Sequence, residues 1–197
     1  MNDEIKFYSE DYWYHNPREH EDVSNYDENY YAYKIYENLI LKLKDVPKYG
    51  YIVLLGTNKC VSFDLLCEHF GRDRCIGYDI ANPTNHPRVL IKDCNLLTEE
   101  DDLPIAFCHN DLGSFPTTPQ LKINGQKWAA PNIVQGGYFL GRNNLNAAKF
   151  KSEELMESLG FDNYNFNFLN KTYDMSSLND SCVEGHMLSQ RKYNVSN

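Results

Sequence analysis

After Gly50 the chain is punctuated by seven short runs rich in Val, Ile, Leu, Phe, Tyr and Cys, at 51–55, 75–80, 89–91, 105–109, 137–140, 164–169 and 183–193. Residues of these types fit a pleated surface, so each run reads as a strand. Several runs are apolar throughout instead of alternating, which predicts strands covered on both faces. Between them the apolar spacing lengthens to three and four. Val61, Leu65, Leu66 and His69 are spaced along a helix over 61–70, a weaker pattern spans 121–133, and a third helix over 147–159 is closed by Gly160 at a capping position. Upstream, Ala32, Ile35, Tyr36, Leu39, Ile40 and Leu43 form one apolar stripe of a helix that ends at 47–50, where Pro47 and Gly50 stand.

Strand and helix in alternation imply a mainly parallel sheet with right-handed crossovers. The last two runs have only the polar stretch 170–181 between them, so they are expected to pair antiparallel at one edge. Residues 1–30, rich in Tyr, Asp, Glu, Asn and His and without a sustained period, read as an aromatic arm or lid before a domain over 31–197. Ten of the fifteen tyrosines stand at or before Tyr51.

A chain of 197 residues suits one domain with a complete core. No apolar run approaches bilayer length, and the acidic start lacks the basic and apolar regions of a secretory signal, so no membrane contact and a cytoplasmic location are expected. The six cysteines, Cys60, Cys67, Cys75, Cys94, Cys108 and Cys182, never form a Cys-x-x-Cys pair and read as reduced core thiols, with no zinc site. A net charge of -9 repels phosphate backbones, which predicts no nucleic-acid partner; a homo-oligomer stays open.

The richest chemistry sits in 51–79. A buried strand ends at Gly56, where a glycine lets the backbone reverse and the next helix offers its unpaired amides. Asp79 closes the second strand 23 positions later (79 minus 56), near the spacing at which an acid accepts hydrogen bonds from a ribose diol. Asp79 also suits a helix cap or a solvated strand end.

Seven strands alternating with helices up to a closing antiparallel pair, together with Gly56 and Asp79, resemble the class I methyltransferases that use S-adenosylmethionine. The resemblance implies an α/β fold, a three-layer Rossmann-like sheet of about seven strands, mostly parallel with an antiparallel C-terminal edge pair. It covers roughly 31–193 and implies methyl transfer; the acidic surface and the absence of an Asn-Pro-Pro-Tyr-like stretch after the fourth strand leave a small-molecule acceptor by elimination. In that family the first strand leads into Glu/Asp-x-Gly-x-Gly-x-Gly, which contacts the methionine portion of the cofactor. Here the stretch is Leu54-Leu55-Gly56-Thr57-Asn58-Lys59-Cys60: the first glycine stands, Asn58 and Cys60 replace the others, and the acid is absent. Asn tolerates a left-handed backbone, so the turn can survive.

The resemblance implies cofactor contacts from Gly56, Thr57, Asn58, Asp79, Asp93 and Asn110, with Asp93 toward the adenine amino group. It places His109 and Asp111 where the methyl and the acceptor meet, as candidate proton acceptors. Plainer roles stand beside these: a hydrogen-bonded imidazole at a strand end for His109, a turn residue for Asp111. No metal is expected, because the fifth strand ends in Arg142-Asn143-Asn144 without a carboxylate. Two other functions compete: a non-catalytic domain of the same fold serving as a binding or assembly module, favoured by the missing glycines, and a dinucleotide-dependent oxidoreductase, disfavoured because Asn58 stands where a pyrophosphate needs glycine.

Overall fold

The computed structural model describes Ile40, Leu43 and residues 45–58, 60–112, 119–144, 152–166, 172–175 and 180–193. The aromatic arm expected over 1–30 and most of the helix expected over 31–43 lie outside the described residues. Of that helix's apolar stripe, Ile40 is fully buried in the core and Leu43 packs against it.

The described elements run β1 (Tyr51–Leu55), α1 (Val61–Phe70), β2 (Cys75–Asp79), β3 (Val89–Ile91), β4 (Ile105–Asn110), α2 (Pro119–Asn132), β5 (Ile133–Asn144), α3 (Ser152–Ser158), β6 (Phe161–Phe166), β7 (Thr172–Met175) and β8 (Asp180–Arg191). They form one sheet in the order β3-β2-β1-β4-β5-β8-β6, with β7 added on β8. Pairing is parallel from β3 to β5 and antiparallel where β8 meets β5, β6 and β7. The expected antiparallel pair therefore forms, but β8 lies inside the sheet and β6 holds the edge.

Both faces of the sheet are covered, as the unbroken apolar runs of β1 and β4 demand. Ile52 and Leu54 of β1 point to a core with Phe63 and Leu66 of α1, Phe107 and Leu140. Val53 and Leu55 point the other way, to Trp128, Ala129 and Ala130 of α2 and to Phe139 and Met156. On α1 the buried side chains are Ser62, Phe63, Leu66 and Cys67, while His69 is exposed. The stripe is rotated from the expected one because that helix is apolar on two adjacent faces, and the bulk of Phe63 decides which turns inward. α2 has a weak pattern for a different reason. Its inner face mixes Trp128 and Gln126 with the small residues Gly125, Ala129 and Ala130, and Gly125 packs so closely that a Cβ there would lie 2.9 Å from Leu112 Cδ1 and 3.0 Å from Leu55 Cδ1.

The connection from β2 to β3 is a loop, and that from β3 to β4 carries only single turns of 3-10 helix, at Cys94–Leu96 and Glu99–Asp101. Two arginines stiffen this side: Arg74 donates to the carbonyls of Pro47 and Gly50, and Arg88 to those of Cys75 and Asp73. The described cysteines other than Cys182, whose side chain is outside the description, are buried and form no disulfide. Burial pushes the Cys75 and Cys94 thiols up to about 12, which leaves them protonated and unreactive. Among the described residues no helix is long and apolar enough to cross a membrane.

Phe107 has no exposed surface and stacks on Phe70 with ring centroids 6.3 Å apart. Phe107→Ala is expected to cost about 3–5 kcal/mol, read as a lower urea midpoint at unchanged slope.

Candidate functional site

The strand order reverses between β1 and β4, since the chain builds outward from β1 through β2 and β3 and then returns to its other side. At such a switch the connections leaving the two carboxyl ends part in opposite directions and open a crevice. The turn after β1 stands at this point. Gly56, Asn58 and Cys60 have φ of 86°, 47° and 69°. These are the alternate positions that the resemblance would fill with three glycines. The left-handed backbone is thus retained although two of the three residues carry a Cβ, at about 1–2 kcal/mol each for an ordinary side chain and less for Asn.

Hydrogen bonds offset that strain. The Gly56 amide donates to the Tyr78 carbonyl at 2.8 Å, and the Cys60 amide to the Thr57 carbonyl at 2.8 Å. The Asn58 amide donates to Asp79 Oδ2 at 2.8 Å, and the Thr57 hydroxyl reaches the same oxygen at 3.4 Å. Asp79 Oδ1 accepts from the Ala81 amide at 3.3 Å. Asp79 and Thr57 are both buried. Gly77 makes room for this contact, because a Cβ there would fall 2.5 Å from the Thr57 methyl. The two positions singled out from spacing, Gly56 and Asp79, therefore converge on one place.

The segment after β2 folds back over the start of α1. The Thr84 hydroxyl donates to Cys60 Sγ at 3.3 Å, and His86 places its ring edge-on to Phe63 with its Nε2 3.4 Å from Asp64 Oδ1. Asn82 holds that histidine from both sides, accepting from its amide and donating to its carbonyl.

Asp93 lies beyond β3, where its carboxylate caps the following turn by accepting from the Asn95 amide at 2.8 Å. It shares the sheet edge with Asp79: the Lys92 amide donates to the Asp79 carbonyl at 2.7 Å, and both carboxylates help to raise the Cys94 thiol. The Lys92 ammonium is paired with Asp101, which fixes the stretch around Asp93. Hydrogen bonds from Lys92 and from the Thr98 amide hold the Asp101 carboxyl below its ordinary value. Two residues absent from the sequence reading also belong to this edge. Ile80, directly after Asp79, is 69% exposed, and Leu96, in the turn capped by Asp93, is 65% exposed. An apolar residue directly after the strand-end acid was the available signal for Ile80; Leu96 had none, since its exposure follows from the turn.

At the end of β4, Asn110 is buried and its Oδ1 accepts from the Leu112 amide at 3.4 Å. His109 is fully buried, in register with Leu54 and Leu140. Asp111 is half-buried and abuts the turn: its amide donates to the Leu55 carbonyl at 2.9 Å, and its own carbonyl oxygen would lie 3.0 Å from a Cβ on Gly56. The Asp111 backbone thus abuts the turn after β1, while His109 has no exposed surface. Among the described residues no group of three or more His, Cys, Asp and Glu is arranged to hold a metal ion.

No protein-family model matches the sequence, and no curated protein matches it. Solved structures do match. An S-adenosylmethionine-dependent methyltransferase from Clostridium acetobutylicum superposes with a TM-score of 0.55 at 11% identity, over 91% of this chain and 99% of that one. A TehB-like SAM-dependent methyltransferase from Corynebacterium glutamicum gives a TM-score of 0.54 at 11% identity, over 91% and 96%. The fold is that of the class I S-adenosylmethionine-dependent methyltransferases, mostly parallel with an antiparallel end, as the resemblance implied.

The exclusion of nucleic acid is corrected by the same comparison. An rRNA methylase from Streptococcus thermophilus is among the similar structures, with a TM-score of 0.49 at 10% identity over 76% of this chain and 91% of that one. Net charge does not license the exclusion, because it sums over the whole chain, whereas contact with a polyanion depends on local charge and on backbone and hydroxyl donors.

Gly56→Ala sets a Cβ against the backbone of Asp111 at a φ that L residues rarely adopt, so a loss of about 1–3 kcal/mol is expected in chemical denaturation. The Lys92–Asp101 pair gives a pH signature. The Asp101 pKa is lower in the folded protein, so its stabilisation is complete above the unfolded value of about 4 and fades as pH falls through the folded one. Lys92→Met is expected to destabilise at pH 6 and to become indistinguishable from wild type in urea melts near pH 2.

Proposed function

We propose that the chain is an S-adenosylmethionine-dependent methyltransferase. The observation that carries this reading is the convergence of a left-handed turn after β1 with a buried carboxylate at the end of β2, on the edge where the strand order reverses. The donor set suits an adenosine: a carboxylate acceptor, backbone amides, and the exposed apolar side chains Ile80 and Leu96 beside the two acids. Among the described residues one enclosed polar atom of the turn, Asn58 Oδ1, also lacks a partner.

S-adenosylmethionine supplies an electrophilic methyl group on a sulfonium, so the protein's work is placement and exclusion of water. In this reading Asp79 accepts from the ribose diol; its Thr57 partner, at 3.4 Å, is the weaker of the two on Oδ2 and can rotate away. Gly56, Thr57 and Asn58 line the methionine end, and Asp93 lies toward the adenine. Asn110 shapes the floor through its bond to Leu112. Asp111 takes the proton of an oxygen or nitrogen acceptor, in preference to the enclosed His109. The small-molecule acceptor expected from the sequence is carried forward as the finer form of this proposal, with RNA open as an acceptor beside it.

Purified protein is expected to gain about 2.7 kcal/mol of stability with S-adenosylhomocysteine at 100 times its dissociation constant, and Asp79→Ala to lose the shift. The absence of any shift at millimolar ligand would favour the binding module instead. Transfer of a tritiated methyl group into separated small-molecule and RNA fractions of a cell extract assigns the acceptor. In that assay Asp111→Asn is expected to lower turnover while S-adenosylhomocysteine still binds.

A further inference from the structure

Asn58 is peculiar in three respects at once. It stands at the second glycine position of the turn, has a left-handed φ of 47°, and carries a side-chain oxygen that is enclosed yet accepts no hydrogen bond among the described residues. An enclosed carbonyl oxygen without a donor costs free energy, so such an atom is a place where a donor from outside would be gained. The backbone amide of the same residue is spent on Asp79, which ties Asn58 firmly to the site.

The second observation is a missing charge. β1 ends in Leu54 and Leu55, both fully buried in apolar surroundings, so no carboxylate precedes the turn at Gly56. Resting on the cofactor reading above, we propose that Asn58 Oδ1 receives the ammonium group of the cofactor's amino-acid portion, in place of an acid at the end of β1. The other donors of such a ligand have acceptors nearby: the ribose diol has Asp79, and the adenine amine has Asp93. The ammonium is the one left, and the Asn58 carbonyl is the enclosed acceptor left on the turn. A neutral amide in this role binds a cation less strongly than a carboxylate does, but needs no second charge buried beside Asp79.

The test compares two ligands by calorimetry. S-adenosylhomocysteine carries the ammonium; 5′-methylthioadenosine lacks the whole amino-acid portion. Asn58→Gly deletes the side chain and suits the positive φ, so the turn and its amide bond to Asp79 are kept. The expected result is a roughly tenfold loss of affinity for S-adenosylhomocysteine with 5′-methylthioadenosine binding unchanged. Equal affinity for S-adenosylhomocysteine, or a parallel loss of both ligands, would overturn the assignment. Asn58→Asp gives an independent reading: it is expected to tighten S-adenosylhomocysteine selectively, and no selective gain counts against the role. Wild-type protein that binds neither compound rejects the cofactor reading itself, and this inference with it.

Discussion

The carboxylate of Asp79 is where the carboxyl edge of the sheet is held together. Its two oxygens gather the Asn58 amide, the Thr57 hydroxyl and the Ala81 amide, and so join the end of β2 to the turn that follows β1. Without that acceptor the Asn58 amide would be left unpaired and the strain at Asn58 would lose the bond that offsets it. With it, a turn that has only one of three expected glycines holds positive φ at all three positions. Gly56 is the one position where a side chain would meet backbone, the carbonyl of Asp111, and it is the glycine that stands. Asn58 and Cys60 hold positive φ because their surroundings supply compensating bonds, from Asp79 for one and from Thr84 for the other.

Among the described residues the connections that follow β2 and β3 along this edge are a loop and single 3-10 turns held by local bonds. The segment after β2 is a clamped loop, fastened to α1 through Thr84 and His86 and braced internally by Asn82. The turn after β3 is capped by Asp93 and anchored by the Lys92–Asp101 pair. These local bonds leave Ile80 and Leu96 in water, the kind of apolar surface that a flat ligand covers. The proposed methyl transfer asks little more of the chain than this: a crevice, acceptors for the ligand's donors, and one carboxylate, Asp111, beside the turn.

Much of the architecture was legible along the chain, and what escaped has identifiable causes. Strands β1 and β4 were plain because both their faces are buried, so nearly every residue had to be apolar; β3 was legible from its apolar run although Leu90 and Ile91 are exposed. β5 and β8 run to 12 residues each, far beyond the apolar core at 137–140 in the first case, because their polar ends are held by backbone pairing that leaves no trace in side-chain pattern. β7 was invisible for that reason as well: Thr172–Met175 lies in a polar stretch and exists by pairing with β8. By itself the sequence determined the α/β alternation, the reversal at Gly56 and the acid at Asp79, since burial, chirality and hydrogen-bond satisfaction act on each residue locally. Only the tertiary structure decided that β8 enters the interior of the sheet, that His109 is sealed while Asp111 abuts the turn, and that Asn58 has an enclosed oxygen with no donor among the described residues. Those outcomes depend on which distant elements come to lie side by side, and no single stretch of chain encodes its neighbours.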